Sequence, residues 1–132
     1  MNLESPKISL PKSANEVFDF LSNVKNFKAL MPKNISKFEL LEKDKFIIAL
    51  TGMPEITLQK KLEEVPNRIV LAAAGGKFDF TLKANITSIE ANKCEVQLSF
   101  DGDFNPMMAI MVKSPISKFI QTLATNIPKS IQ

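Results

Sequence analysis

Few side chains in this 132-residue chain can do chemistry, and their spacing limits what kind. Histidine, tryptophan and tyrosine are absent. Their absence removes Ser-His-Asp triads, Cys-His pairs and histidine metal sites together. What remains is one lysine in an apolar strand phase, Lys60, one cysteine, Cys94, and three aspartates, Asp79, Asp101 and Asp103. Lys60 shares parity with Ile56, Leu58 and Leu62. It either turns inward to meet an anionic head group or carboxylate, or it marks a bulge, or it lies at a strand edge that lets its long stem snorkel to water. The aspartates fall on the polar phase of their strands and read as a solvated face, not an acid–base pair. Cys94 lies on the apolar phase near a turn and reads as a buried, inert thiol. Gly75-Gly76 has no phosphate-loop context, and neither GxGxxG nor a Walker pattern occurs. No cofactor and no metal are expected.

The other candidates are carbon-rich. Met107, Met108 and Met111 open the last helical segment, Met31 ends an earlier one, and Met53 lies in a turn. Methionine is flexible and polarizable, so it suits a surface that adapts to varied apolar partners; it is also a routine core filler. Phe80, Leu82, Leu98 and Phe100 share the inward face of one alternating pair. They are core by ordinary burial preference and line a cavity only where the covering helix stands off the sheet. With Phe27, Ile48, Leu50, Leu58 and Lys60 they complete the expected ligand-binding set.

These residues sit on a readable series of elements. Lys7 to Leu10 form a strand stopped by Pro11. Ser13 and Glu16 make a capping box for a helix with Val17, Phe18, Phe20, Leu21 and Val24 as its apolar stripe. Phe27, Ala29, Leu30 and Met31 give a second short helix, ended by Pro32. Strands follow over Ile35–Leu41, Lys45–Leu50, Glu55–Val65 and Arg68–Ala74, separated by turns at Glu42-Lys43-Asp44, Thr51-Gly52-Met53-Pro54 and Pro66-Asn67. Gly75-Gly76 makes a hairpin turn ahead of the clearest alternation, Phe78 to Ile86 and Cys94 to Phe104. The connections are too short for parallel crossovers, so the sheet is antiparallel. Asn105-Pro106 starts a last helix whose stripe is Val112, Ile116, Phe119, Leu123 and Ile127. Pro115 either kinks that helix or divides it near Lys113.

Bulk composition fits one globular domain, residues 1–132. No stretch approaches the roughly 20 apolar residues of a membrane span. A single cysteine cannot staple the fold, and the first residues lack the basic-then-apolar layout of a secretory signal, so a cytoplasmic protein is expected. The net charge of +3 raises nucleic acid as a partner. However, the lysines are dispersed among fourteen acidic residues and Arg68 is the sole arginine, which points to a solvated basic surface instead.

Ile8-Ser9-Leu10-Pro11 running into Ser13-Ala14-Asn15-Glu16-Val17-Phe18-Asp19-Phe20-Leu21, with the helix pair ending at Leu30-Met31-Pro32, resembles the START-like superfamily. This group is also called SRPBCC or helix-grip and includes polyketide cyclase-like proteins. The segment through Met31-Pro32 is similar to the G-type members associated with carbon monoxide dehydrogenase. The resemblance implies an α+β helix-grip fold. A curved antiparallel sheet of six to seven strands would wrap a long C-terminal helix, with two short helices after the first strand. It also implies a cavity between sheet and last helix, its mouth near Met31, Met53 and Met107 to Met111. Binding or carrying of a lipid-like, quinone-like or polyketide-like molecule is the function expected. A cyclase- or hydrolase-like enzyme and a ligand-free protein-interaction module are the alternatives. The expected partner is a hydrophobic small molecule, with transient contact at a membrane surface admitted and nucleic acid not expected.

Overall fold

The computed structural model describes residues 1–42, 44–51, 55–74 and 79–131. Chain order is β1 (Asn2–Glu4), β2 (Ile8–Leu10), α1 (Ala14–Ser22), a 3₁₀ turn (Val24–Asn26) and α2 (Phe27–Leu30). Then come β3 (Ile35–Leu40), β4 (Lys45–Leu50), β5 (Ile56–Glu64), β6 (Arg68–Ala73), β7 (Asp79–Glu90), β8 (Lys93–Asp103) and α3 (Pro106–Ser130). The sheet is antiparallel with spatial order β1-β8-β7-β6-β5-β4-β3, and β2 also pairs with β8. Seven strand positions therefore lie side by side, the first filled by two short segments.

Those two segments are joined at Ser5, a buried polar residue. Its backbone N–H donates to the Leu98 carbonyl (2.8 Å), and its hydroxyl oxygen accepts from the Leu98 N–H (2.9 Å). The hydroxyl replaces a ladder partner where Pro6 breaks the strand, so β8 keeps its bonds across the break.

α1 starts as its sequence dictates. The Ser13 hydroxyl accepts from the Glu16 N–H (3.1 Å), and the Glu16 carboxylate accepts from the Ser13 N–H (3.2 Å). Its buried face is Ala14, Val17, Phe18 and Leu21. α3 is one unbroken helix of 25 residues, roughly 37 Å at 1.5 Å per residue, and Pro115 lies within it. The missing proline N–H leaves the carbonyl of Met111, an exposed residue, open to water. Burial of Val112, Ile116, Phe119, Ile120, Leu123, Ala124 and Ile127 holds the helix through the defect. At its far end the Asn126 amide donates to the Leu30 carbonyl (3.0 Å), fastening α3 to α2.

Sheet, α1, α2 and α3 share one continuous core. Its alternation is visible in β7, where Phe80, Leu82, Ala84 and Ile86 are buried and Asp79 is exposed. The Gly75-Gly76 turn and Phe78 lie outside the described residues. Among the described residues no helix is long and apolar enough to cross a membrane.

Candidate functional site: an apolar chamber under the last helix

Between the sheet and the first half of α3 the packing leaves a chamber of about 40 Å³. The sheet supplies Leu50 from β4, Leu58 from β5, Phe80 and Leu82 from β7, and Phe100 from β8. Ile56 closes the β5 end, Phe104 the β8–α3 junction, and Val112, Ile116 and Phe119 descend from α3. Every one of these side chains is hydrocarbon. A charge placed there would lose its hydration with nothing in return, so the chamber accepts carbon and rejects ions.

Its rigid wall is a column of three rings. Phe80 and Phe100 stack at 5.4 Å, and Phe100 and Phe104 at 6.3 Å with planes 3° apart. Gly102, between the last two in sequence, has no side chain to part them. A Cβ there would lie 2.6 Å from Phe104 Cε2 and 3.0 Å from Phe100 Cε1. The chamber is smaller than the roughly 150 Å³ engineered cavity that takes benzene, so a ring-sized guest enters only as side chains move.

Of the residues expected from sequence, Leu50, Leu58, Phe80, Leu82 and Phe100 line this chamber. Phe27, Ile48 and Leu98 are buried elsewhere in the core. Phe27 stacks on Phe46 (5.7 Å), which stacks in turn on Phe38 (5.3 Å), forming a second aromatic cluster under α2. Met31 and Met108 are half-buried against the core and do not line the chamber. Met53 lies outside the described residues.

Three of the expected residues stand apart from the chamber lining. Met107 and Met111 do not face the interior; they are 75% and 66% exposed, beside Ile110 at 80%. The face α3 turns to the sheet is set by Val112, Ile116 and Phe119, and Met107, Ile110 and Met111 fall off that stripe. Nor does Lys60 reach the chamber. Pairing shifts between Lys60 and Leu62, which makes Lys61 a bulge and leaves Leu62 48% exposed. The Lys60 ammonium instead donates to the Ser22 carbonyl at the end of α1 (2.8 Å). It also pairs with Asp44 (3.5 Å) and Glu63 (3.3 Å). The lysine is a fastening between α1 and β5.

The expected set also left out Ile56, Phe104, Val112, Ile116 and Phe119. Each carried a signal: Ile56 has the parity of Leu58, Phe104 that of Phe100, and the other three form the α3 stripe. Cys94 is fully buried, and burial, then the charge of Glu16, push its thiol pKa up. Asp79, Asp101 and Asp103 are exposed on the outer face of the sheet. Among the described residues no three of His, Cys, Asp and Glu gather in a way that would hold a metal.

No family model matches the chain, and no curated protein matches it in sequence. Solved structures do match in shape. A START superfamily protein from Mycobacterium smegmatis superposes with TM-score 0.76 at 13% identity, covering 98% of this chain and 96% of that one. A conserved protein from Geobacillus kaustophilus gives 0.71 at 17% identity, over 99% and 95%. Norcoclaurine synthase from Thalictrum flavum, solved with dopamine and hydroxybenzaldehyde, gives 0.72 at 13% identity, over 98% and 84%. At such identities the likeness speaks for architecture alone, and the architecture is a START-like helix-grip fold.

Proposed function

We propose that this chain binds a small apolar molecule, or the apolar part of one, in the chamber beneath α3. One observation carries the reading: every side chain around the space is hydrocarbon. Burying apolar surface there gains about 25 cal/mol per Å², and no side chain of the wall must be desolvated to admit the guest. A lipid-like, quinone-like or polyketide-like ligand fits this chemistry. The likeness to norcoclaurine synthase, solved in complex with two aromatic molecules, is in keeping with a small-molecule guest and raises an enzyme as the second reading. Against the enzyme, the wall offers no acid, base or hydroxyl to a bound substrate. A cytoplasmic carrier is the form of the proposal that also suits a lone buried thiol.

Native mass spectrometry of gently purified protein, followed by solvent extraction, tests it. A retained hydrophobic mass, displaced by an apolar dye, is the expected result. A ligand-free protein that also fails to bind such a dye refutes the binding reading.

A further inference from the structure

Resting on that reading, we infer that the ligand is an amphiphile with an anionic head, held in a separate polar crevice at Lys118. This crevice, about 260 Å³, runs between α3 and the start of β3. Lys118, Thr122, Asn34 and Thr51 give it polar walls, and Leu50 and Phe119 belong both to it and to the chamber. Those two side chains are the partition between a hydrocarbon space and a cationic one. Rotating them joins the two, with the tail on one side and the head on the other.

The donors suit an anion. Among the described residues Lys118 has no ion pair, and the Thr122 hydroxyl makes no hydrogen bond to the chain. The Thr51 hydroxyl is already spent on the Asn34 carbonyl (2.8 Å), which fixes the crevice floor and leaves its oxygen only as an acceptor. An ammonium, a hydroxyl and the Asn34 amide are the combination that holds a carboxylate or phosphate.

The opposite charge has a place to go as well, and the geometry disfavours it. An acidic crevice with Asp79, Asp101 and Asp103 touches the chamber through Phe80 alone. Its carboxylates stand on the outer face of the sheet, whereas Phe80 is buried on the inner one. The sheet backbone lies between them, and no side-chain rotation opens that route. A cationic head therefore finds no carboxylate on the path that opens at Lys118.

Four probes with one tail separate the outcomes: octanoate, octyl phosphate, octan-1-ol and octylamine, measured by calorimetry alongside an uncharged apolar dye. The two anions are expected to bind roughly five- to tenfold more tightly than the alcohol, the scale of a charge-assisted hydrogen bond in a partly wet site. Lys118→Gln, a surface change that spares the core, is expected to bring the anions down to the alcohol and leave dye binding in the chamber, which Lys118 does not line, unchanged. Equal binding of acid and alcohol, preference for the amine, or an anion preference that survives Lys118→Gln overturns the inference while the chamber stands. Dye binding without binding of any octyl probe does the same. Failure of every probe and of the dye overturns both.

Discussion

Replacing Lys60 by alanine separates a structural lysine from a ligand-binding one. Its side chain is only 12% exposed, and its ammonium donates to the last carbonyl of α1 at 2.8 Å. α1 has no basic residue in its own last turn, so β5 supplies the positive charge that the C-terminal end of the helix dipole favours. A hydrogen bond from a charged donor is worth about 1.5–3 kcal/mol. The pairs with Asp44 and Glu63 add little, because both carboxylates are over a third exposed and such pairs contribute about 0–1 kcal/mol. Lys60→Ala should therefore cost about 2–3 kcal/mol. Lys60→Met, which keeps the apolar stem, should cost less by the packing it retains. With a urea dependence of about 1–3 kcal/mol per M, the unfolding midpoint of the alanine variant should fall by about 1 M or more. Affinity for an apolar dye in the folded protein should not change. An unmoved midpoint in both variants, or lost dye binding at full stability, refutes the fastening and returns Lys60 to the ligand.

The other predictions probe the chamber and its surroundings. Val112→Ile adds one methylene to the 40 Å³ space, and should raise stability by about 0.8 kcal/mol while weakening dye binding; calorimetric unfolding and dye titration read both. Gly102→Ala forces Phe104 and Phe100 apart, and should cost about 1–3 kcal/mol and disturb dye binding, read by urea unfolding and titration. Met111→Lys, at a residue 66% exposed, should stay within about 0.5 kcal/mol of the parent in thermal unfolding. Because burial and Glu16 raise the Cys94 pKa, the folded state holds this proton more tightly than the unfolded chain. Its contribution to stability is then complete below the ordinary thiol value of 9.0 and is lost as pH climbs through the raised one, so the urea midpoint should fall in that alkaline window. A thiol reagent at about pH 8, near the ordinary thiol range, should label Cys94 only in denaturant.

Elements governed by local rules are legible in this sequence. The Ser13–Glu16 box, the Asn105 cap with Pro106 and the alternation of β7 and β8 each depend on residues a few positions apart, and all form as read. What escapes is set by distant neighbours. β1 is three residues long with no alternation to speak of, and it is a strand only because β8 offers a free edge. Lys60 keeps the inward parity of Leu58, with the bulge coming only after it, but its partner is a carbonyl 38 positions away at the end of α1, which no local pattern announces. Methionine type singles out Met107 and Met111, which stand exposed, whereas helix phase, written in Val112, Ile116 and Phe119, marks the face α3 turns to the sheet. Periodicity was the better guide than residue type.

Why any space survives beneath α3 follows from the same residues. A helix resting on a sheet of aliphatic side chains would settle until the gap closed, because close packing is the default of protein interiors. Here β7, β8 and the β8–α3 junction present Phe80, Phe100 and Phe104 as a column of stacked rings, which cannot shorten as a leucine can by changing rotamer. Gly102 lets the last two rings stand close beside it. Opposite them α3 turns in Val112 and Ile116, branched and short, and Phe119 only a turn later. Tall rings facing short side chains hold the helix off at one end, while Asn126 and Leu30 fix it at the other. The gap is thus a consequence of where large and small residues fall. Filling it by a single methylene at Val112 is the change that most directly asks whether the protein keeps that gap for a guest.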